Sequence, residues 1–161
     1  MTHFVCADHH FGHAKALEFR KEFADLDSMH RTMIHSHNRV VTHSDTVYFL
    51  GDVVWFRHGL KVIRELNGRK ILVPGNHDRH WDLYSYAFQE VRGDFHYPKG
   101  KGAFLSHVPI HPDCVDRFGL NVHGHLHDAQ DLGDPRYICV SMECINYTPV
   151  DLDQLILGAN Q

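Results

Sequence analysis

Five short segments of the chain carry side chains of the kinds that hold metal ions: Asp8-His9-His10, Gly51-Asp52, Gly75-Asn76-His77-Asp78, His107, and Gly124-His125-Leu126-His127. Their donors are carboxylate and amide oxygens and imidazole nitrogens, with no thiolate among them. Such a set suits Mn, Fe, Zn, Co or Ni better than Mg or Ca, because imidazole is a borderline ligand. Residues two apart on an extended or turning segment point the same way, so Asp8 and His10 are spaced to face one ion together. His125 and His127 share that spacing, although a turn between them could direct them to two different ions. Gly51, Gly75 and Gly124 each precede a candidate ligand, where the missing side chain permits close approach. Taken singly, Asp8, Asp52 and Asn76 read as ordinary cap or turn residues. Taken together with the histidines, they read as one site.

The elements around these segments explain how they would meet. His3 to Ala7 reads as a strand, as do Thr46 to Leu50, Lys70 to Val73, Ala103 to Ser106, Leu120 to His123 and Tyr137 to Met142. The spacing of Leu17, Phe19, Phe23, Met29, Met33, Ile34 and Val40 fits helix from Ala14 to Val41, broken into two pieces at Asp25 to Ser28. Further helices are expected at Leu60 to Leu66, at Trp81 to Phe88 and at Leu152 to Leu157, with a turn at Lys99 to Gly102. Strand and helix alternate in the first half, which implies parallel βαβ units with right-handed crossovers. The second half reads as short strands joined by turns, hence a mixed or antiparallel sheet. Five of the strands end in candidate ligands, and in open α/β sheets functional groups gather at the carboxyl ends of strands. The expectation is an α/β fold made of two sheets, in one domain spanning residues 1 to 161.

With these five blocks in this order, the chain resembles the calcineurin-like metallophosphoesterase superfamily, in its small single-domain bacterial and phage form. That family's blocks are D-x-H, G-D, G-N-H-D/E, a lone H, and G-H-x-H. The closing segment Ser141 to Pro149 also resembles the end of small members. The resemblance implies a four-layer αββα sandwich and a phosphoric ester hydrolase. It implies one ion held by Asp8, His10, Asp52 and His127, and a second held by Asp52, Asn76, His107 and His125, with Asp52 shared. Two such ions clamp a phosphoryl group and draw the attacking hydroxide from water between them. In this reading His77 coordinates neither ion but stabilises the transition state or protonates the leaving oxygen, with Asp78 orienting its imidazole. Manganese is favoured among the metals. A phosphodiester is favoured over a monoester, a nucleotide being one candidate, because so short a chain leaves no room for a cap over the site. Small members are commonly homodimers.

Other residues carry weaker signals. Arg57 could bind substrate phosphate through its forked guanidinium, with Trp55 or Phe56 stacking on a ring, and His13 could contact substrate. His111 is the rival of His107 for the lone-histidine block, and His9 departs from the apolar or small residue usual at its place. His123 is expected to pack in the core, and His30, His35, His37 and His43 to lie on the solvated face of the first helix. Histidine is abundant, at 17 against 16 lysines and arginines together. Cys6, Cys114, Cys139 and Cys144 show no CxxC spacing, so buried free thiols are expected rather than a thiolate zinc site. A formal net charge of -4 argues against an extended nucleic-acid surface. No run approaches the ~20 apolar residues of a membrane span. The opening residues lack a secretory leader, which gives the expectation of a cytoplasmic protein. Two competing functions follow from the same residues. A catalytically silent scaffold that binds a partner protein would be expected to have lost His77 or several ligands. A metal store would bind more than two ions without turnover.

Overall fold

The computed structural model describes residues 1–55, 57, 59–79, 84–98, 102–128 and 132–159. Two mixed sheets flanked by helices form an α/β fold. The first sheet has the order β4-β3-β2-β1-β9, from Glu90–Val91, Arg69–Val73, Thr46–Leu50, His3–Cys6 and Val150–Asp151. The strands β1 to β4 run parallel and β9 pairs antiparallel to β1. The second sheet has the order β5-β6-β7-β8, from Phe95–Tyr97, Ala103–Leu105, Asn121–His123 and Tyr137–Cys139. Its β5 and β6 pair antiparallel, while β6, β7 and β8 run parallel, so this half is mixed as its short strands suggest. No helix among the described residues is long and apolar enough to cross a membrane.

Alternation along the central strands divides the core in two. Val5, Tyr48, Leu50, Ile71 and Val73 pack with Leu105 and Val122 between the sheets. Phe4, Cys6, Val47, Phe49 and Leu72 face the other way and pack with Met29, Met33, Ile63 and Phe88. Strands buried on both faces read as continuous apolar runs, which is why β2 is Thr-Val-Tyr-Phe-Leu with every residue buried. Each large apolar side chain so placed contributes about 1.5–3 kcal/mol.

Helix α1 spans Leu26–Val40 and starts where Asp25 caps it. The Ser28 amide donates to Asp25 Oδ1 at 2.7 Å and the Asp25 amide to Ser28 Oγ at 3.2 Å, a reciprocal pair that satisfies two end donors. Upstream, Ala14–Glu18 is a 3-10 helix rather than the α-helix its spacing suggests. Of the α1 histidines, His37 is buried, not solvated, because it continues the four-residue step of Met29 and Met33. Its ring stacks on Phe49 and its Nε2 meets the Asn67 carbonyl at 3.0 Å. His30 also turns inward, its Nε2 accepting from the Gly12 amide, while His35 is exposed; His43 is exposed too, but lies past the end of α1 rather than on it.

Helix α2 (Gly59–Ile63) is shorter than expected, α3 covers Pro112–Phe118, and α4 covers Leu152–Ala159. Residues 81–83 of the expected Trp81 to Phe88 helix, and Lys99 to Lys101 of the expected turn, lie outside the described residues. The cysteines also depart from expectation: Cys6 alone is fully buried, Cys139 is half-buried, and Cys114 and Cys144 are exposed.

Candidate metal centre

The loops after β1, β2, β3, β6 and β7 converge where the two sheets join. Past β1, Ala7 bridges to Ser141, its amide donating to the Val140 carbonyl at 2.9 Å. The β1 and β2 loops then run side by side. The amides of Asp8, His10 and Phe11 donate to the carbonyls of Gly51, Asp52 and Val53 at 2.9–3.0 Å.

Two donor sets result. Asp8, His10 and His127 present ligand atoms within 4.8 Å of one another, and so do Asp52, His107 and His125. In the first set, Asp8 Oδ1 lies 4.0 Å from His10 Nε2 and 3.9 Å from His127 Nε2, and those two nitrogens are 3.4 Å apart. In the second, His107 Nε2 lies 3.6 Å from Asp52 Oδ1 and 3.2 Å from His125 Nδ1. Asn76 Oδ1 approaches His107 Nε2 to 3.0 Å, so the amide joins this set. The sets interlock through the backbone, since the His125 amide donates to Asp8 Oδ2 at 2.9 Å.

Several observations fit cations here. Asp8 Oδ1 is fully buried without a hydrogen-bond partner, which is costly unless something positive meets it. His127 Nδ1 donates to Glu143 at 3.2 Å, and His107 Nδ1 donates to the Leu50 carbonyl at 2.8 Å. Each bond leaves the Nε2 lone pair facing the donor set, the usual orientation of a metal-ligating histidine. Asp8, His10, Asp52, His125 and His127 all have left-handed backbone, with φ between 52° and 69°. For residues with a Cβ this conformation costs on the order of 1 kcal/mol or more each, and it gathers at functional sites. Glycine provides the clearance. A Cβ at Gly75 would fall 2.2 Å from Asp52 Oδ1, and one at Gly124 would fall 2.4 Å from Asp8 Oδ2.

Charge in the centre follows from burial and neighbours. Burial, with Arg20 and His127 nearby, lowers His10 to about 2, so its imidazole is neutral and free to ligate. Burial raises Asp8 and Asp78. Burial works against protonated His127, but Glu143 and Asp8 outweigh it and raise this group. Glu143 is itself held at about 2, its desolvation overcome by bonds from His127 and Arg20.

His77 stands beside both sets and in neither. Its side chain is 34% exposed, its Nε2 lies 3.7 Å from Asp52 Oδ2, and its ring lies 4.5 Å from that of Trp55. Asp78 does not orient this imidazole, contrary to the reading from sequence. Its carboxylate accepts from the amides of Asp52 (2.7 Å), Gly75 (2.9 Å) and Val53 (3.1 Å) and from the Tyr84 hydroxyl (3.1 Å). Asp78 therefore ties the β2 and β3 loops together. The sequence placed it next to His77, but neighbours in a turn direct their side chains apart.

A cavity of about 490 Å³ opens over the centre, lined among others by His10, His77, His125, His127, His13 and Trp55. His13 packs its ring 3.8 Å from that of Trp55. Arg57 is exposed and does not line the cavity; Phe56 lies outside the described residues. His111 caps α3 with a side chain 71% exposed, leaving His107 as the ligand candidate. His9 is buried against Phe11 and Phe49, and His123 is buried with Nδ1 on the Gly124 carbonyl.

The sequence reading missed the groups beneath the candidate ligands. Arg20, 1% exposed, donates to the Asp8 and His9 carbonyls at 2.5 and 2.8 Å and to Glu143 at 2.7 Å. Ser141 donates to Asp8 Oδ2 at 2.7 Å. Below His127, the thiols of Cys139 and Cys144 donate to its carbonyl at 3.3 and 3.2 Å. Burial and the neighbouring Cys139 push Cys144 up to about 12, so it stays a donor.

No family model matches the chain. The chain is 26% identical to the protein of unknown function AQ665 from Aquifex aeolicus, whose crystal structure superposes with a TM-score of 0.77 over 97% of this chain and 98% of that one. It is 35% identical over 77 residues to the Gene 66 protein of Mycobacterium phage L5, covering 45% of this chain and 37% of the relative. The uncharacterized protein MJ1445 of Methanocaldococcus jannaschii is 32% identical over 164 residues, covering 95% of this chain and 88% of that protein. A likeness of that extent makes the chain a member of the same family as MJ1445.

Proposed function

We propose that the chain is a dinuclear, metal-dependent phosphoesterase of the calcineurin-like type, acting on phosphodiesters in preference to monoesters. The observation that carries this reading is the pair of interlocked donor sets on one cavity wall, with His77 uncommitted beside them. Asp8, His10 and His127 would hold one ion and Asn76, His107 and His125 the other, with Asp52 shared between them. Divalent cations held there would supply positive charge for the phosphoryl oxygens and make water more acidic. The two-sheet, helix-flanked architecture accords with the αββα sandwich of that superfamily.

The chain's own residues supply the rest. His107 and His127 are locked by their Nδ1 bonds in the tautomer that leaves Nε2 free. His77, partly exposed and packed on Trp55, is placed to give a proton to the leaving oxygen or to stabilise negative charge in the transition state. A cavity of about 490 Å³ has room for both substituents of a small diester. Retention of both donor sets and of His77 weighs against a silent scaffold.

Hydrolysis of bis-p-nitrophenyl phosphate and of p-nitrophenyl phosphate, with manganese, with chelator and with His77→Ala, tests the reading. Metal-dependent diester cleavage that His77→Ala abolishes is expected. Monoester preference would overturn the substrate assignment alone. No turnover of either ester by a chain holding two ions would overturn the hydrolase reading.

A further inference from the structure

Cys139 and Cys144 take no part in the metal centre, yet they are placed against it. Their sulfurs are 3.4 Å apart, and both thiols donate to the carbonyl of the candidate ligand His127. A disulfide needs a sulfur separation near 2.05 Å, so an approach of about 1.4 Å closes it. The six residues between and including them contain two groups that orient candidate ligands: Ser141 on Asp8 and Glu143 on His127. We propose that Cys139 and Cys144 form a reversible disulfide under peroxide, and that this bond weakens the metal set of Asp8, His10 and His127.

The chemistry balances with hydrogen peroxide as oxidant. In this step Cys139 Sγ, 3.4 Å from Cys144 Sγ, is the attacking sulfur. An S–O bond forms, the O–O bond breaks, and the departing oxygen takes up the thiol proton and leaves as water. Cys144 then attacks the sulfenic sulfur of Cys139. The S–S bond forms, the S–O bond breaks, and the hydroxyl leaves as a second water with the Cys144 proton. The two thiols lose two electrons and one peroxide is reduced. Exposure of Cys144 gives a reductant access to the finished bond.

The effect on the centre follows from what the bond removes. The His127 carbonyl loses both S–H donors, and the tightened loop draws Ser141 and Glu143 away from their partners. Loss of such supporting bonds weakens a metal site about 10–100-fold. The alternative fate of an oxidised thiol is a free sulfenic or sulfinic acid, and Cys114, exposed on α3, is the internal control for it.

The test treats the full chain with hydrogen peroxide, then measures intact mass, cross-linked peptides and manganese affinity, with and without dithiothreitol. A mass loss of about 2 Da, a Cys139–Cys144 peptide and a fall of about tenfold or more in manganese affinity, all reversed by dithiothreitol, are expected. Cys144→Ser, which keeps a donor for the His127 carbonyl, should show no cross-link and no loss of affinity. Adducts on Cys114 without the cross-link, or a cross-link that leaves manganese affinity unchanged, would overturn the proposal. The metal half of it rests on the proposed centre: a reduced chain that binds no manganese overturns both. Normal manganese binding without a cross-link overturns the disulfide alone. Neither readout requires turnover.

Discussion

Gly75→Ala tests the centre without removing a single ligand. The added Cβ would sit 2.2 Å from Asp52 Oδ1, 2.6 Å from the Asp52 amide nitrogen and 2.9 Å from Asp52 Cγ. Ordinary contact begins near 3.4 Å, so the carboxylate must retreat by about 1 Å. It has little freedom to do so: Asp52 is 3% exposed, and Asp78 holds both the Asp52 and Gly75 amides. Overpacking of this kind costs about 1–3 kcal/mol. At about 2–4 °C per kcal/mol for a chain of this size, Tm should fall by roughly 2–12 °C with the fold intact. The larger effect is on binding, since donors must hold position to about 0.2 Å. Calorimetric titration with manganese should find at least one of two ions lost, and hydrolysis should drop about 100-fold or more. Gly93→Ala, whose Cβ meets nothing within 4 Å, is the control and should change neither. Unaltered manganese stoichiometry and affinity in Gly75→Ala would refute the argument that Gly75 gives Asp52 its place.

Other perturbations separate the supporting groups. Glu143→Gln puts an N–H donor or a weaker acceptor opposite His127 Nδ1 and removes the preference for the Nε2-ligating tautomer. Manganese affinity should fall about 10–100-fold by titration while Tm shifts by only a few degrees. His37, lowered to about 4 by burial, stays neutral in the folded chain while the unfolded chain takes up a proton below about 6.5. Its stability contribution is present above pH 6.5 and is lost as pH falls toward 4. His37→Gln should therefore flatten that part of the urea-unfolding profile by on the order of 3 kcal/mol, and an unchanged slope would exclude His37 as its source. Asp25→Ala removes the α1 cap and should cost about 1 kcal/mol in thermal unfolding.

The sequence was most legible where backbone and chemistry coincide. Strands β1, β2, β3 and β6 each carry a short apolar run followed within a few residues by a polar side chain, and the structure gathers Asp8, His10, Asp52 and His107 from those places, with His125 and His127 from beyond β7, into the two donor sets. The groups beneath them were not legible, because burial is a tertiary property. Arg20 reads as a charged residue on a helix face, and only the turns after Ala14–Glu18 carry it under the Asp8 loop. Glu143 reads as one acid in a mixed segment, and its role depends on His127 arriving from a separate loop. Asp78 misled in the opposite way, since adjacency to His77 suggested a partnership that the fold assigns to backbone amides. His37 had a signal in its four-residue step from Met29 and Met33, which histidine's polarity masked.

The convergence of chain-distant loops has a consequence for how the molecule is made. The Asp8 carboxylate is completed by His125 and Ser141, which lie 117 and 133 residues further along. During synthesis the first three strands, with Asp8, His10 and Asp52, emerge well before His125 and Ser141. Closing so long a loop is slow relative to local structure, so the strained ligand backbone forms late. An ion that binds only the closed arrangement then stabilises the finished chain by mass action, in proportion to the logarithm of its concentration over Kd. Refolding with and without manganese should accordingly differ in the final yield of closed protein rather than in the early formation of β1 to β3.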